Sequence, residues 1–565
     1  MGKAENTVEQ LVSQIERGEL QLPEMQRRYV WKSTQVRDLV DSLYRGYPSG
    51  AILVWETDED VPERSFAVQQ ARSAYASRRL LLDGQQRLTS LSALLRGEPI
   101  SVRGRKRPID LLFNLEHPAQ DLDLVEEGGE AWNEEAEDAD DLIGPADDLE
   151  ARLTQSTFVV ATQRLKSRPE WVSVASVLSG AIDDADILQR AGVLGFDDPR
   201  YKRYSEKLKR LRRVREYTYQ VEILERKFAY EEVTRIFVRI NSAGAKLRSS
   251  DLALAQITAK WRNSLGVFSG HESRCLEAGF PIDQSTSLRT LVALGTDQCR
   301  FKHVGSLSLT QMQEAWERAV PALDSAADFF RSNVRLDSVS LLSSSFLLVA
   351  AAYMESAAGG LLRAGGEDAM ERWVLAANLK GRYSRGSSET LLDQDLTTLR
   401  EGLGAEGLLE RLATQFGRLD VQPGDLKGRN PQSGAFRSMF VAFRKDGATD
   451  WVKPLKISIK HQNKSDKLQF HHIFPRALLR DLYPRRVVND ICNFAFIGSK
   501  TNQMIGKRQP ADYLPELLER VGPAILERQC IPADPVLHRL DHYEDFLEER
   551  RLRVADRLNR LLRVP

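Results

Sequence analysis

Apolar residues near the start of the chain form short blocks, some with helical spacing and some continuous. Residues 33–46 carry apolar side chains at helical intervals, and Ser33 or Thr34 offers an N-cap. The runs AILVWE (51–56) and RRLLLDG (78–84) are short and continuously apolar, which is typical of buried strands. The second run ends in an Asp-Gly turn before a helical stretch. The pattern therefore predicts a mixed α+β N-terminal region.

The rest of the chain shows helical spacing over long stretches. Residues from about 260 to 425 are mostly helix-forming, whereas FAFIGSKTNQMIG (494–506) predicts a strand, a turn and the start of a helix. A chain of 565 residues is too long for one hydrophobic core. We therefore expect an α+β multidomain protein with an N-terminal domain over 1–260, a helical connecting region over 261–425 and a C-terminal domain over 426–565.

Composition narrows the class of protein. Lys plus Arg and Asp plus Glu are both 80, so the formal net charge is zero and any nucleic-acid contact must come from local patches. The four cysteines are far apart and form no CxxC pair, which argues against a disulfide framework and against a Cys-based zinc site. The longest apolar stretch, 339–354, is short and holds four serines, so no membrane association is expected. These features predict a soluble, cytoplasmic protein.

Three charged segments each leave more than one interpretation open. Residues 121–150 contain 14 acids and no Lys or Arg, which indicates either a solvated loop or a segment that covers a basic groove. Residues 201–217 predict an amphipathic helix with a basic face, which either is solvated or follows a phosphate backbone. A further basic stretch runs from Arg437 to Lys467.

Two N-terminal segments carry more polar chemistry than a core needs. In PEMQRRYVWK (23–32), aromatic rings offer stacking faces, and Arg and Gln offer forked donors for phosphates or base edges. In LLLDGQQRLTSL (80–91), a strand delivers Asp83 to a glycine turn, and a helix N-terminus follows with a nearby Arg. Free amides at a helix N-terminus suit a phosphate. The pattern is not a P-loop, and a structural turn is an equal alternative.

The C-terminal region contains adjacent histidines followed by asparagines. HHIFP (471–475), NDICNF (489–494) and KTNQMIGKRQP (500–510) occur in the order of an HNH, or ββα-metal, nuclease. Such a nuclease needs a cation on the scissile phosphate and a base that activates water. Pro475 is expected to end the pairing of the first strand.

The order and spacing of four motifs resemble GmrSD-type modification-dependent restriction enzymes, including their SspE-like, phosphorothioate-sensing anti-phage members. The motifs are QRRYVW, DGQQRLTSL, IFVRINSAGAKL (236–247) and LKGRYSRGSSETLLDQDL (379–396). The resemblance implies a ParB/sulfiredoxin-like N-terminal domain that binds GTP or another NTP through Asp83, Gln85, Gln86 and Arg87. It also implies a pocket that senses DNA modification, formed by Gln26, Arg28, Tyr29 and Trp31.

The C-terminal resemblance covers about residues 430–565 and implies roles for the polar residues there. His471 and Asn502 are expected to hold the metal, His472 to act as general base and Asn493 to orient His472. Asn489 competes with Asn493 for the orienting role. The expected phosphate contacts are Lys500, Lys507 and Arg508.

The resemblance also sets expectations for the ion. An imidazole at position 471, where many HNH sites have a carboxylate, weakens a preference for Mg²⁺ and favours Mn²⁺ or Ni²⁺ as well. Neighbouring residues of a regular strand face opposite ways, so the pair shares one site only at a strand end or bulge, or by approaching the phosphate from two sides. The remaining histidines are taken as ordinary: His117, His271, His303, His461, His538 and His542.

The expected function is that of an anti-phage defence DNA endonuclease. Its NTPase domain would sense phosphorothioate or glucosylated hydroxymethylcytosine in double-stranded DNA and control a metal-dependent nick by the HNH domain. Cutting both strands would need two events or a homodimer. The alternative is a nucleotide-dependent DNA-binding sensor with a degenerate HNH domain, which would not cut DNA with any divalent metal.

Overall fold

The chain divides into two compact units, Met1–Asn263 and Ser264–Pro565. The computed structural model describes residues 2–23, 31–58, 63–64, 79–102, 105, 107–117, 156–243, 249–357, 367–384, 386–453, 455–459 and 467–562. The first division lies close to the expected boundary at 260. The expected boundary between 425 and 426 falls inside the second unit.

A mixed six-stranded sheet forms the centre of the first unit. Its strand order is β1-β9-β3-β5-β2-β4, and a separate antiparallel sheet has the order β7-β6-β8. The strands are β1 (Gly2–Thr7), β2 (Leu20–Pro23), β3 (Ile52–Glu56), β4 (Glu63–Arg64), β5 (Arg79–Asp83), β6 (Leu111–Asn114), β7 (Phe158–Val160), β8 (Trp171–Ser173) and β9 (Thr218–Leu224).

Helices cover the six-stranded sheet. The helices of this unit are α1 (Val8–Glu16), α2 (Ser33–Arg45), α3 (Gln85–Leu95), α4 (Gln163–Lys166), α5 (Val174–Ser179), α6 (Asp184–Arg190), α7 (Pro199–Arg212), α8 (Tyr230–Ala243) and α9 (Ser249–Lys260). Ile52 and Val54 of β3 pack into a core with α1, α2 and α3, whereas Leu53 and Trp55 pack into a second core with α8 and α9. Because alternate side chains of a strand face opposite ways, a continuously apolar strand is buried on both faces.

The second unit is mainly helical. Its helices are α10 (Ser264–Glu277), α11 (Gln284–Thr296), α12 (Leu309–Ser332), α13 (Phe346–Ala357), α14 (Glu367–Lys380), α15 (Ser388–Arg400), α16 (Gly404–Phe416), α17 (Pro423–Leu426), α18 (Gly434–Lys445), α19 (Arg476–Leu479), α20 (Arg485–Val488), α21 (Ser499–Ile505), α22 (Pro510–Val521), α23 (Pro523–Glu527) and α24 (Tyr543–Leu562). Its two strands, β10 (Leu468–His472) and β11 (Phe494–Gly498), form an antiparallel hairpin. The mixed α+β class expected from the sequence is confirmed.

One local expectation is wrong. The cap of α2 is Lys32 rather than Ser33 or Thr34, because both of these residues already lie in the helix and Gln35 accepts a hydrogen bond from the Lys32 amide at 3.0 Å. In the described part of the chain, no helix has the length and apolar character that crossing a bilayer requires.

Candidate functional site

The hairpin and the helix after it form a ββα arrangement. In the hairpin, His471 pairs with Ala495 and His472 with Phe494, and α21 follows β11 directly. His472 is the last residue of its strand. This position at a strand end is one of the conditions under which adjacent histidines can serve one site. We call His471, His472, Asn489, Asn493 and Asn502 the ββα site.

Asp450 fixes the start of α21 and was not identified from the sequence. Its carboxylate accepts a hydrogen bond from the Gly498 amide at 2.6 Å and one from the Thr501 hydroxyl at 2.7 Å. A carboxylate at a helix N-terminus satisfies amides that have no intrahelical partner. Asp450 thereby positions the turn that presents Asn502. The sequence gives no local signal for it, because Thr501 lies 51 residues away.

His471 lies in a buried setting beside Asn502. Its Nδ1 is 2.7 Å from Oδ1 of Asn502. The rings of Trp451 and Tyr513 pack edge-on to the imidazole, with centroids at 5.7 Å and 6.0 Å. The Tyr513 hydroxyl donates to the carbonyl of Ile473 at 3.0 Å and lies 3.5 Å from Nε2 of His471. The structure therefore brings together the two residues that the sequence predicts as metal ligands.

His472 is held by Asn489 rather than by the side chain of Asn493. Nε2 of His472 is 3.1 Å from Oδ1 of Asn489, and its ring contacts Phe494 with centroids 4.2 Å apart. An amide oxygen only accepts, so Nε2 carries the proton and the lone pair stays on Nδ1. Of the two candidates for the role of orienting His472, it is therefore Asn489, and not Asn493, whose side chain contacts the ring.

The Asn493 side chain has a different position from the one expected. Its oxygen accepts from the Phe474 amide at 2.9 Å, and its nitrogen donates at 3.1 Å to the carbonyls of Phe474 and Val488. Asn493 is fully buried. Its backbone carbonyl accepts from the Ile473 amide at 2.8 Å. Asn493 thus locks the chain just after the strand that carries the histidines, and it acts on His472 only through that backbone.

Both histidines are held in the neutral form. Burial lowers the pKa of His471 to about 4. Burial also lowers the pKa of His472, and Arg476 lowers it further, whereas the hydrogen bond with Asn489 raises it. Neutral imidazole is the form that ligates a metal or accepts a proton. At neutral pH each ring is therefore ready for the role that the sequence assigns it.

Exposed cations lie on the segments that flank the ββα site. Lys500 and Lys507 are exposed, and Arg508 is exposed but pairs with Glu516. Sequence reasoning missed further exposed arginines between His472 and Asn489: Arg476, Arg480, Arg485 and Arg486. Their signal is the segment PRALLRDLYPRR. These exposed cations lie close to both histidines in sequence, where they could contact a polyanion.

The basic stretch upstream of the histidines has a structural role where it is described. Burial lowers the pKa of Arg437, which donates to the carbonyl of Leu342. Arg444 pairs with Asp337 at 2.8 Å, and Lys445 pairs with Glu371 at 3.4 Å. These three side chains join α18 to neighbouring segments of the second unit.

The basic helix α7 is likewise used to hold the first unit together. Arg212 donates to the carbonyls of Val177 and Ile182 at 2.8 Å and 3.0 Å. Lys207 donates to the carbonyls of Leu115 and His117 at 2.8 Å and 2.6 Å, and burial lowers its pKa to about 8. Side chains committed to buried carbonyls cannot also neutralise phosphates. The helix therefore does not present a continuous phosphate-tracking face.

The DGQQR segment forms a tight strand–turn–helix. Gly84 has φ +97°, and a Cβ there would lie 2.3 Å from Cδ1 of Ile52, so only glycine fits. Arg87 donates to the carbonyls of Ser49 and Ala51 and to Asp83, the last two at 2.7 Å and 3.2 Å. Its guanidinium ties this segment to the chain before β3, and it is not aimed at a phosphate.

The two glutamines of the segment are buried. Gln85 and Gln86 are 6% and 8% exposed, whereas the side chain of Asp83 is 48% exposed. Among the described residues, Oε1 of Gln85 has no hydrogen-bond partner. A buried amide oxygen without a donor is costly, and a ligand hydroxyl or amino group would satisfy it. It would not attract a phosphate, which is also an acceptor.

The expected modification pocket is described only at its last residue. Trp31 is half-buried and packs against the core of the first unit. Gln26, Arg28 and Tyr29 lie outside the described residues.

A comparison with known protein families gives a match within the first unit. Residues 8–258 match the family model of the N-terminal domain of the GmrSD restriction endonuclease. The matched range contains β5, the glycine turn and α3, and it confirms the expected GmrSD-type resemblance for this part of the chain.

A second comparison extends along most of the chain. The uncharacterized protein MJ0686 of Methanocaldococcus jannaschii is 22% identical over 557 aligned residues, which cover 90% of this chain and 86% of that protein. The alignment includes both units. The two proteins are therefore similar in overall organisation.

Proposed function

We propose that the protein is an anti-phage defence endonuclease whose ββα site is a metal-dependent HNH nuclease that nicks DNA. The observation that carries the proposal is the arrangement of two neutral imidazoles on one hairpin. His471 faces Asn502 of the following helix at 2.7 Å, and His472 stands at the strand end with Nε2 held by Asn489 at 3.1 Å.

The residues beside His471 fit a divalent cation. Two ligands about 2.1 Å from an ion and at right angles lie about 3.0 Å apart, close to the observed separation of Nδ1 and Oδ1. Without an ion, Nδ1–H of His471 donates to the Asn502 amide oxygen. A cation between these two atoms would replace that proton, and the Tyr513 hydroxyl, which donates to Ile473, could accept from Nε2 of His471 instead. A bound ion would stabilise the charge that develops on the phosphate.

His472 supplies the base in this proposal. The hydrogen bond with Asn489 keeps the proton on Nε2, so Nδ1 accepts a proton from the attacking water. Burial has already lowered the pKa of the ring, so no prior deprotonation is needed at neutral pH. The exposed cations Arg476, Lys500 and Lys507 would hold the DNA backbone.

For the N-terminal unit we propose nucleotide-dependent sensing of DNA modification. The half-exposed Asp83 and the unsatisfied amide oxygen of Gln85 support a ligand with donor groups, such as a ribose or a base. Arg87 is committed to the backbone and leaves phosphate binding to other groups. GTP or another NTP is the proposed ligand, and phosphorothioate or glucosylated hydroxymethylcytosine is the proposed mark.

Plasmid nicking tests the nuclease proposal. Supercoiled DNA is incubated with Mg²⁺, Mn²⁺ or Ni²⁺ and with wild type, His472→Ala or His542→Ala, the last an exposed histidine outside the ββα site. We expect relaxed circles with wild type and His542→Ala, and a loss of about 10²-fold or more with His472→Ala. If His472→Ala nicked the plasmid at the wild-type rate, the assignment of the nuclease site would be refuted. Absence of nicking by wild type with every ion would favour the DNA-binding sensor.

NTP hydrolysis tests the sensing proposal separately. The rate is measured with unmodified, phosphorothioate and glucosylated DNA for wild type, Asp83→Ala and His472→Ala. We expect one modified DNA to change the rate in wild type and His472→Ala, and Asp83→Ala to abolish hydrolysis. Equal rates with all three DNAs would contradict sensing.

A further inference from the structure

A second group of metal-ligating side chains lies in the helical part of the second unit, outside the ββα site. His271 and Cys275 are on α10, one turn apart, and Asp324 is on α12. Residues four apart on a helix share a face, so both α10 side chains point the same way. His271 and Cys275 are buried, whereas the Asp324 carboxylate is 51% exposed. One ligand atom from each residue lies within 4.8 Å of the others.

The two distances from Nε2 of His271 to the other ligand atoms match those of a tetrahedral zinc site. Nε2 of His271 is 3.5 Å from Sγ of Cys275 and 3.6 Å from Oδ1 of Asp324. With Zn–S near 2.3 Å and Zn–N and Zn–O near 2.0 to 2.1 Å, tetrahedral ligands are separated by about 3.6 Å for S and N, and about 3.4 Å for N and O. The observed separations agree with both within about 0.2 Å.

The second nitrogen of His271 has the partner that a ligating histidine needs. Nδ1 is 3.3 Å from the Ser287 hydroxyl, which donates to the carbonyl of Asp283 at 3.4 Å. Because the hydroxyl hydrogen is committed to that carbonyl, its oxygen accepts from Nδ1–H. The lone pair is then on Nε2 and faces Cys275 and Asp324. The edge of the ring packs against Trp316, which fixes its plane.

We propose that His271, Cys275 and Asp324 bind one Zn²⁺ ion, with water as the fourth ligand, and that the ion joins α10 to α12. Thiolate and imidazole are the ligands that select zinc over magnesium. The exposed carboxylate leaves the fourth position at the surface. This proposal does not depend on the nuclease proposal, since the two sites share no residue.

The proposed site differs from two expectations from the sequence. The wide spacing of the cysteines argued against a Cys-based zinc site, and His271 was taken as ordinary. The pattern His-x3-Cys is a weak local signal for two ligands on one helical turn. The third ligand lies on another helix, so only the packing of α10 on its neighbours reveals the set.

Cobalt substitution of the full-length protein tests the proposal. Apoprotein prepared with a chelator is titrated with Co²⁺, and the thiolate-to-cobalt charge-transfer band is recorded. None of the five residues of the ββα site is a cysteine, and the loss of the band in Cys275→Ser separates the proposed site from the other three cysteines. We expect one cobalt ion per chain to produce the band, Zn²⁺ to displace it, and Cys275→Ser and His271→Gln to abolish it.

Asp324→Asn and Asp328→Asn provide a matched pair of exposed variants on α12. Both keep the helix intact, but only Asp324 is near the cluster; Asp328 is 75% exposed and lies near Arg331. We expect Asp324→Asn to weaken Co²⁺ binding by about tenfold or more and Asp328→Asn to leave it unchanged. Absence of the band in wild type, its persistence in Cys275→Ser, or unchanged affinity in Asp324→Asn would each overturn the proposal.

Discussion

At the scale of single residues, three asparagines near the adjacent histidines make different contacts. Asn502 faces His471, Asn489 accepts from His472, and Asn493 joins backbone segments. All three amides have the same chemistry, and only their position decides whether they contact a ring or a backbone. The sequence could predict that asparagines surround the histidine pair. It could not assign Asn489 to the ring, because that depends on how the connector between the strands returns.

The hydrogen bond from His472 to Asn489 makes opposite predictions for two substitutions. Because this bond raises the pKa of His472, Asn489→Ala should lower the pKa and move the acid limb of the pH–rate profile for nicking to lower pH. Asn489→Asp places a carboxylate at Nε2 and should move the limb to higher pH. We expect Asn489→Ala to reduce the rate at pH 7 by about tenfold through loss of orientation. Identical profiles in wild type and both variants would contradict a positioning role.

Asn493→Ala should act on stability instead. The substitution removes three buried hydrogen bonds and leaves the Phe474 amide and two carbonyls without a partner. We expect the free energy of unfolding to fall by about 3 kcal/mol, measured by urea denaturation. Gln503→Ala, an exposed amide on α21, should change it by less than about 0.5 kcal/mol. Unchanged stability in Asn493→Ala would show that these bonds are not formed.

At the scale of secondary structure elements, residues of the strand–turn–helix formed by β5 and α3 have structural roles of their own. Gly84 allows the turn, and Arg87 fastens it to the segment before β3. The pattern predicted the strand, the turn and the helix, since each follows from local spacing. It did not predict that Arg87 is used internally, because the carbonyls it contacts are 36 and 38 residues away. The basic helix α7 behaves in the same way, since its Arg212 and Lys207 also donate to backbone carbonyls that are distant in sequence.

The close contact at Gly84 predicts a partial rescue. Gly84→Ala adds a Cβ at a positive φ and within 2.3 Å of Cδ1 of Ile52, so we expect a loss of about 2 to 4 kcal/mol in stability. Ile52→Val removes Cδ1 at a cost of about 1 kcal/mol on its own. In the double variant the clash is gone while the backbone strain remains. The double-mutant cycle, measured by urea denaturation, should therefore show a coupling of about 1 kcal/mol or more, and simple additivity would contradict the close contact.

At the scale of the whole molecule, the charge is balanced and several cations of the described residues are used internally. Lys plus Arg equals Asp plus Glu at 80 each, and side chains of the basic runs at α7 and α18 pair with carbonyls or acids. Among the described residues, exposed cations lie on the segments around the ββα site, at Arg476, Lys500 and Lys507. Because a balanced charge limits sequence-independent attraction to DNA, cutting by the proposed nuclease would depend on recognition rather than on charge.

One ββα site in each chain predicts that strands are cut singly. A supercoiled plasmid should first give relaxed circles at a rate proportional to protein concentration, and linear DNA should appear only after a lag. Adding an excess of His472→Ala to wild type, with DNA in excess of both, then distinguishes a single chain from a pair. Independent chains should nick at the wild-type rate, since the inactive chains occupy other DNA molecules. If cleavage required two chains together, mixed pairs would form and the rate would fall as the inactive fraction rose. We expect no such fall, and a decrease in proportion to the wild-type fraction, at constant wild-type concentration, would identify a dimer as the active species instead.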